Sequence, residues 1–179
     1  QLWRLLGAIV TMGVLVAGYG VFQHFGHDFL DLTETTGGGT RRVTSTMGNA
    51  IFAASVMSMA IPVSLTLATV TLREHLWASR FREPLQQWAL SFTVTILWNL
   101  VVMIQLLGLL FTFSRGPWIG AIVALVTFLG LTLFLAGWRT FVRAALVLGM
   151  AAVFSIAFLQ WQDSISIMGR GPWLGAIFA

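Results

Sequence analysis

Three arginines beside long apolar segments are the residues whose type and spacing best suit chemistry. Arg41 and Arg42 are adjacent, and Arg115 lies between two apolar runs with no acidic residue near it in sequence. A guanidinium group is permanently charged, and its planar set of N–H donors matches the oxygens of a phosphate. The pattern therefore predicts an anion site formed by arginines, with phosphate as the best-fitting anion.

Simpler roles for these arginines stay open. Arg115 could extend its side chain to the lipid headgroups as an anchor, since long basic side chains do this at the ends of membrane helices. Arg41 or Arg42 could form ion pairs with the acidic residues of the same polar stretch, Asp28, Asp31 and Glu34.

The residues after Arg42 predict the start of a helix that re-enters the membrane. Thr44, Ser45 or Thr46 is expected to cap this helix, because small hydroxyl side chains accept hydrogen bonds from the first backbone N–H groups. A helix amino terminus would add partial positive charge to the anion site.

Two histidines invite a metal interpretation, because His24 and His27 are three positions apart beside Asp28. No third ligand has suitable spacing, so we expect no metal site there. The chain has no cysteine and none of the signatures of nucleotide-binding or hydrolytic enzymes, so we predict no cofactor. The aromatic residues are best explained as membrane anchors, with pigment or quinone contact as a remote alternative.

The elements that must position these residues are membrane helices. Hydrophobic residues make up 58% of the 179 positions and charged residues only 9%, far from the roughly 25% charged content of a soluble domain. Because the arginines lie between apolar runs, they favour a membrane topology and not nucleic-acid binding. We predict an all-α polytopic bundle, a single transmembrane domain over 1–179, with an external loop at 23–49 and about five spans near 2–22, 51–72, 89–113, 118–136 and 144–159.

The orientation follows from the arginine distribution, since basic residues accumulate on the cytoplasmic side. A cytoplasmic amino terminus places six arginines inside, which are Arg4, Arg73, Arg80, Arg82, Arg139 and Arg143. It leaves four outside, which are Arg41, Arg42, Arg115 and Arg170. All three candidate site arginines then share the outer side.

One eight-residue segment occurs twice. Arg115-Gly-Pro-Trp-Ile-Gly-Ala-Ile122 recurs as Arg170-Gly-Pro-Trp-Leu-Gly-Ala-Ile177 with a single change. In both copies a charged turn opens an apolar run, and a local duplication is one explanation. Apolar runs also lie at both ends of the sequence, so we expect that it is a piece of a longer protein.

Two segments carry a family resemblance. The first is Thr44-Ser-Thr-Met-Gly-Asn49, before one span, and the second is Phe111-Thr-Phe-Ser-Arg-Gly-Pro-Trp-Ile-Gly120, between two later spans. With these segments the chain resembles the O-antigen ligase and polymerase family over about residues 21–160. It departs from the family where Ala-Ile follows Asn49 in place of Pro-Asn. The family's large external loop, which bears a catalytic histidine, would follow the fifth span.

The resemblance implies a function for the arginines. Family members transfer a glycan from a polyprenyl-diphosphate carrier to an acceptor at the outer side of the bacterial inner membrane, without a metal. Arg42, or its neighbour Arg41, and Arg115 would hold the diphosphate, and the partners would be membrane lipid and the lipid-linked donor.

Two other functions stay open. The chain could be a non-catalytic accessory subunit that packs against other subunits of a respiratory or photosynthetic membrane complex. It could also be a small-solute transporter, for which the polar span residues Asn99 and Gln105 are the only support.

Overall fold

Five long helices make up most of the part of the chain that the structure describes. A computed structural model describes residues 1–32, 34–35, 41–78 and 84–165, and its helices are α1 (Leu2–His24), α2 (Ala50–Ala78), α3 (Pro84–Phe111), α4 (Arg115–Leu131) and α5 (Trp138–Ile165). Each span has an apolar stretch of 22 to 25 residues, which for α4 includes the five residues after Leu131. Such a stretch is long enough to cross about 30 Å of hydrocarbon. The predicted all-α transmembrane bundle with five spans is confirmed.

The helix ends differ from the predicted spans where α3 joins α4. The third span was expected to reach position 113, but α3 ends at Phe111 because Phe113 has a positive φ of 49° in the following turn. Helix α4 begins at Arg115, three residues earlier than predicted, and Pro117 lies in its first turn. Proline fits there because the first N–H groups of a helix lack intrahelical acceptors.

The last two helices are joined by a single residue. A π-helical turn over Thr132–Ala136 continues α4, and Gly137, with φ of 82°, reverses the chain into α5. Helix α5 begins at Trp138, earlier than the expected position 144, and therefore contains Arg139 and Arg143. The described residues include neither the second copy of the repeated segment nor Arg80 and Arg82.

Helices α1, α2 and α3 form the centre of the bundle, and small residues let them approach closely. A Cβ atom placed on Gly13 of α1 would overlap the Cβ atom of Ala60 in α2. A Cβ atom on Gly108 of α3 would lie 2.9 Å from the Cα atom of Ala17 in α1. Packing of small residues drives helix association in lipid, where burial of apolar surface gives little net gain.

Two polar residues of α3 lie inside this centre. Gln105 is fully buried, and its Oε1 atom lies 2.9 Å from the hydroxyl oxygen of Ser64, which donates to it from α2. Asn99 donates from Nδ2 to the carbonyl of Thr95 within its own helix. Gln105 therefore links α3 to α2, whereas the Asn99 hydrogen bond stays within α3.

Helix α4 is the least covered element. It packs mainly against α2, and Ala121 is its only buried residue. Trp118, Leu125 and Phe128 are half-buried against the core. The exposed apolar side chains of α4, which are Ile119, Ile122, Val123, Val126 and Leu131, face the surroundings of the bundle, which in a membrane are lipid or other proteins.

Helices α1 and α3 end, and helices α2 and α4 begin, at the same end of the bundle. We call this end the loop end. There the backbone of Glu34–Thr35 pairs antiparallel with Arg41–Arg42, with Glu34 opposite Arg42. The 3₁₀ turn Ser45–Met47 follows. Helix α2 is capped by Asn49, whose Oδ1 atom accepts from the N–H group of Ile51 at 2.8 Å.

The expectation that Thr44, Ser45 or Thr46 would cap the re-entering helix is therefore wrong. The helix starts at Ala50, too far along the chain for those hydroxyls to reach its first N–H groups.

Candidate functional site

The three residues after Arg42 are buried in the loop end, and we call them the buried segment 43–45. Val43, Thr44 and Ser45 are each at most 1% exposed. The N–H group of Val43 donates to the carbonyl of Phe111 at the end of α3, with N and O 3.3 Å apart. This hydrogen bond places the chain just after Arg42 against the start of the α3–α4 turn.

Helix α1 holds the other end of the buried segment through Ser45. The Ser45 hydroxyl donates to the carbonyl of Val16 at 2.6 Å, and its N–H group donates to Oε1 of Gln23 at 2.7 Å. Ser45 has a positive φ of 51°, a conformation that side-chain-bearing residues rarely adopt. The two hydrogen bonds offset that strain.

Gln23 was not singled out by the sequence, although it is only 2% exposed. Its Nε2 atom donates to Oδ1 of Asp28 at 3.0 Å, while Oε1 accepts from Ser45. Gln23 thus links α1 to both parts of the polar connection. The sequence signal was a glutamine in the last turn of an apolar span.

Asp28 organises the chain that leaves α1. Its carboxylate accepts from the Tyr19 hydroxyl at 2.7 Å and from the N–H group of Leu32 at 2.9 Å. The N–H group of Leu30 lies 2.9 Å from the Tyr19 oxygen, to which it donates. These contacts fold residues 25–32 back along α1.

Arg42 lies directly on the turn between α3 and α4. Its Nη2 atom donates to the hydroxyl oxygen of Ser114 at 2.8 Å, and Nε donates to the carbonyl of Thr112 at 3.3 Å. A guanidinium group has five N–H donors, so three remain that bond to no residue in the described part of the chain. Arg42 is half-buried, which favours a fixed orientation.

Arg115 follows Ser114 immediately as the first residue of α4. Its side chain is exposed and makes no hydrogen bond or ion pair with any residue that the structure describes. The N–H groups of Arg115 and Gly116 have no intrahelical acceptor, because they begin the helix. The Nε1 atom of Trp118 donates to the Leu109 carbonyl at 2.9 Å and fixes this helix start against α3.

The structure therefore brings two of the three predicted arginines to one turn. Arg42 contacts Ser114, and Arg115 is the next residue in the chain, although 73 positions separate the arginines in sequence. The backbone of Arg41 pairs with Thr35. Together, two guanidinium groups and the start of α4 make a positively charged surface that can bind an anion.

His24 joins three helices at the same end. Its ring stacks on Phe111 of α3 with centroids 3.7 Å apart, and its Nε2 atom lies 3.0 Å from Nε2 of Gln162 in α5. His27 is exposed. Among the residues with a described position, no group of three or more metal-ligating side chains occurs.

Comparisons with known proteins add no relative. No protein-family model, curated protein or solved structure matches the chain.

Proposed function

We propose that the chain forms the membrane domain of a glycan-transfer enzyme of the O-antigen ligase and polymerase type. Arg42 and Arg115 hold the diphosphate of a polyprenyl-linked donor, at the outer side of the bacterial inner membrane, with the amino terminus in the cytoplasm. The observation that carries this proposal is the contact of Arg42 with Ser114, which brings Arg42 to the residue before Arg115.

The position of the two arginines along the bundle suits a lipid-linked diphosphate. The loop end is where the apolar span of α3 ends and that of α4 begins, and the ends of membrane spans lie near the boundary between hydrocarbon and water. A polyprenyl diphosphate places its charged group at this boundary and its tail in the hydrocarbon. The exposed apolar face of α4, which starts at Arg115, offers a surface for the tail.

The guanidinium groups of the arginines also suit a diphosphate chemically. Two guanidinium groups neutralise negative charge that grows on the diphosphate as the glycan leaves it, and this stabilises the transition state. Arg42 is held by two hydrogen bonds, so little orientational freedom is lost when the donor binds. Arg41 adds a third positive charge to the same connection.

The test is glycan transfer by the complete protein in proteoliposomes with a polyprenyl-diphosphate-linked donor. Arg42→Gln and Arg115→Gln should each reduce transfer roughly ten- to one-hundred-fold, since a lost charge-assisted contact costs about 1.5–3 kcal/mol. Arg139→Gln is the matched control, because Arg139 is also exposed but lies at the opposite end of the bundle. Equal activity of all three variants would refute the site.

A binding measurement separates the site from the reaction. Polyprenyl diphosphate should bind the unmodified protein and bind the Arg42 and Arg115 variants more weakly, measured by native mass spectrometry. Polyprenyl monophosphate serves as the comparison ligand and should show a smaller difference, because it carries fewer oxygens for the second guanidinium. Absence of binding to the unmodified protein would refute the proposed donor.

The exposed α4 favours a second candidate, a non-catalytic accessory subunit of a larger membrane complex. Only Ala121 of this helix is buried, so a large apolar surface is open to other subunits. If this function is right, gently solubilised membranes contain the protein in a defined larger assembly. The purified complete protein then transfers no glycan.

A further inference from the structure

We infer that Phe29 and Leu30 are inserted among the acyl chains of the membrane leaflet at the loop end. They belong to residues 25–32, which we call the return loop. The inference rests on the contacts of this loop with α1 and is independent of the proposed glycan transfer.

The first observation is depth. The return loop leaves α1 at its last residue, His24, yet the N–H group of Leu30 donates to the hydroxyl of Tyr19. Tyr19 lies five residues before the end of the helix, about 7 Å back along its axis at 1.5 Å per residue. Side chains of a helix also tilt toward its amino terminus, which brings the Tyr19 hydroxyl no closer to the loop end.

The second observation is the side of α1 that the loop covers. Leu15 and Phe22 lie four residues before and three residues after Tyr19, and both are exposed on one side of the helix. Val16 and Gln23 lie three residues before and four residues after Tyr19, on the other side, and are buried in the bundle. Tyr19 therefore lies at the border of the lipid-facing surface, and the return loop folds over that border.

The third observation is the side chains that the loop presents. Phe29 is 79% exposed and Leu30 is 54% exposed. At the depth of Tyr19, beside Leu15 and Phe22, the medium around the bundle is lipid. Two large apolar side chains held there have a lower free energy in lipid than in water. An aromatic ring is also well suited to the boundary between headgroups and acyl chains.

The loop satisfies several of its own polar groups at this depth. Asp28 accepts from the Tyr19 hydroxyl and from the N–H group of Leu32, and Leu30 donates to Tyr19. Irregular backbone at membrane depth needs such internal hydrogen bonds. The loop also leads to Leu32, whose carbonyl accepts from the hydroxyl of Thr44, so its depth helps to set that of the segment beside Arg42.

Site-directed spin labelling in proteoliposomes tests the inference directly. The chain has no cysteine, so Phe29→Cys and Leu30→Cys each give a single labelling site. The label at position 29 should collide several-fold more with oxygen, which concentrates in lipid, than with a water-soluble nickel chelate. Leu15→Cys is the lipid-facing reference. His27→Cys, two residues from Phe29 and also exposed, is the reference that we expect to face water, because its ring is polar.

The outcomes discriminate between lipid, water and protein contact. A label at position 29 that behaves like the one at His27 would overturn the inference. Low collision with both reagents at positions 29 and 30 would mean burial against protein, and would overturn it too. In the Phe29→Cys background, Tyr19→Phe should move the label outward and raise its collision with the nickel chelate, and an unchanged depth would refute the tethering by Tyr19.

Discussion

Arg42 and Arg115 differ in how the protein holds them. Arg42 is half-buried and donates to Thr112 and Ser114, whereas the Arg115 side chain is exposed and makes no hydrogen bond or ion pair with the described residues. A fixed guanidinium beside a free one can bind an anion in steps, with Arg42 setting its position and Arg115 closing on it. Arg115 is therefore the residue at which an anchor and an anion ligand are hardest to tell apart.

Arg115→Lys separates these roles, because it keeps the charge. If Arg115 binds a diphosphate through two parallel N–H···O contacts, lysine cannot reproduce them, and transfer should fall roughly ten- to one-hundred-fold. An arginine that only extends to the headgroups should tolerate the change, since lysine does this about as well. The measurement is glycan transfer by the folded complete protein, and near-normal transfer would reduce Arg115 to an anchor.

At this scale the sequence predicted the arginines but not what holds them. Arg42 and Arg115 stood out because a permanent charge beside an apolar span has few explanations. Gln23 and Ser45 did not, because each is an ordinary polar residue until the fold buries it. Their importance comes from hydrogen bonds across 22 and 29 positions, which no local pattern contains.

At the scale of the elements, the lengths of the apolar runs in the sequence were enough to predict five helices. The ends were less predictable because they depend on capping and turns, as at Asn49 and Phe113. The path of the connection between α1 and α2 could not be predicted either. It is fixed by the burial of Val43 against α3 and by the fold of the return loop onto Tyr19.

The packing of α1 against α2 and α3 gives a prediction with an internal control. Gly13→Ala should lower the stability of the protein by about 1–3 kcal/mol, because the added methyl group would overlap Ala60 and the Gln105 amide. Gly18→Ala, in the same helix, meets no atom within 4 Å and should leave stability unchanged or slightly raised. Thermal unfolding in mild detergent measures both, and equal midpoints would contradict the close approach of α1 and α2.

The buried segment 43–45 gives a prediction about local stability. Gln23→Leu leaves the N–H group of Ser45 buried without an acceptor, at a cost of about 1–3 kcal/mol. Hydrogen exchange should therefore become faster at residues 43–45 while the centres of α4 and α5 keep their protection. Thr93→Val is the control, because the Thr93 hydroxyl is exposed and only donates within its own helix. Unchanged exchange in the segment would show that Gln23 does not hold it.

At the scale of the whole molecule, the structure gathers the polar chemistry at one end. Arg42, Arg115, His24 and Asp28 all lie at the loop end, whereas Arg4, Arg139 and Arg143 lie at the opposite end. Basic residues of short connections favour the cytoplasmic side. Under the proposed orientation, the arginine-rich connection around Ser79 belongs to the cytoplasm and the loop end faces outward.

Cysteine labelling tests this orientation, since the chain contains no native cysteine. His27→Cys places a thiol at an exposed position of the loop end, and Ser79→Cys places one in the charged connection after α2. A membrane-impermeant maleimide should label His27→Cys in intact spheroplasts, and Ser79→Cys only in inside-out vesicles. The reverse pattern would put Arg42 and Arg115 in the cytoplasm, where a donor bound at the outer leaflet could not reach them. Labelling of both thiols from one side would contradict the passage of α2 through the membrane, because an odd number of spans must separate these two positions.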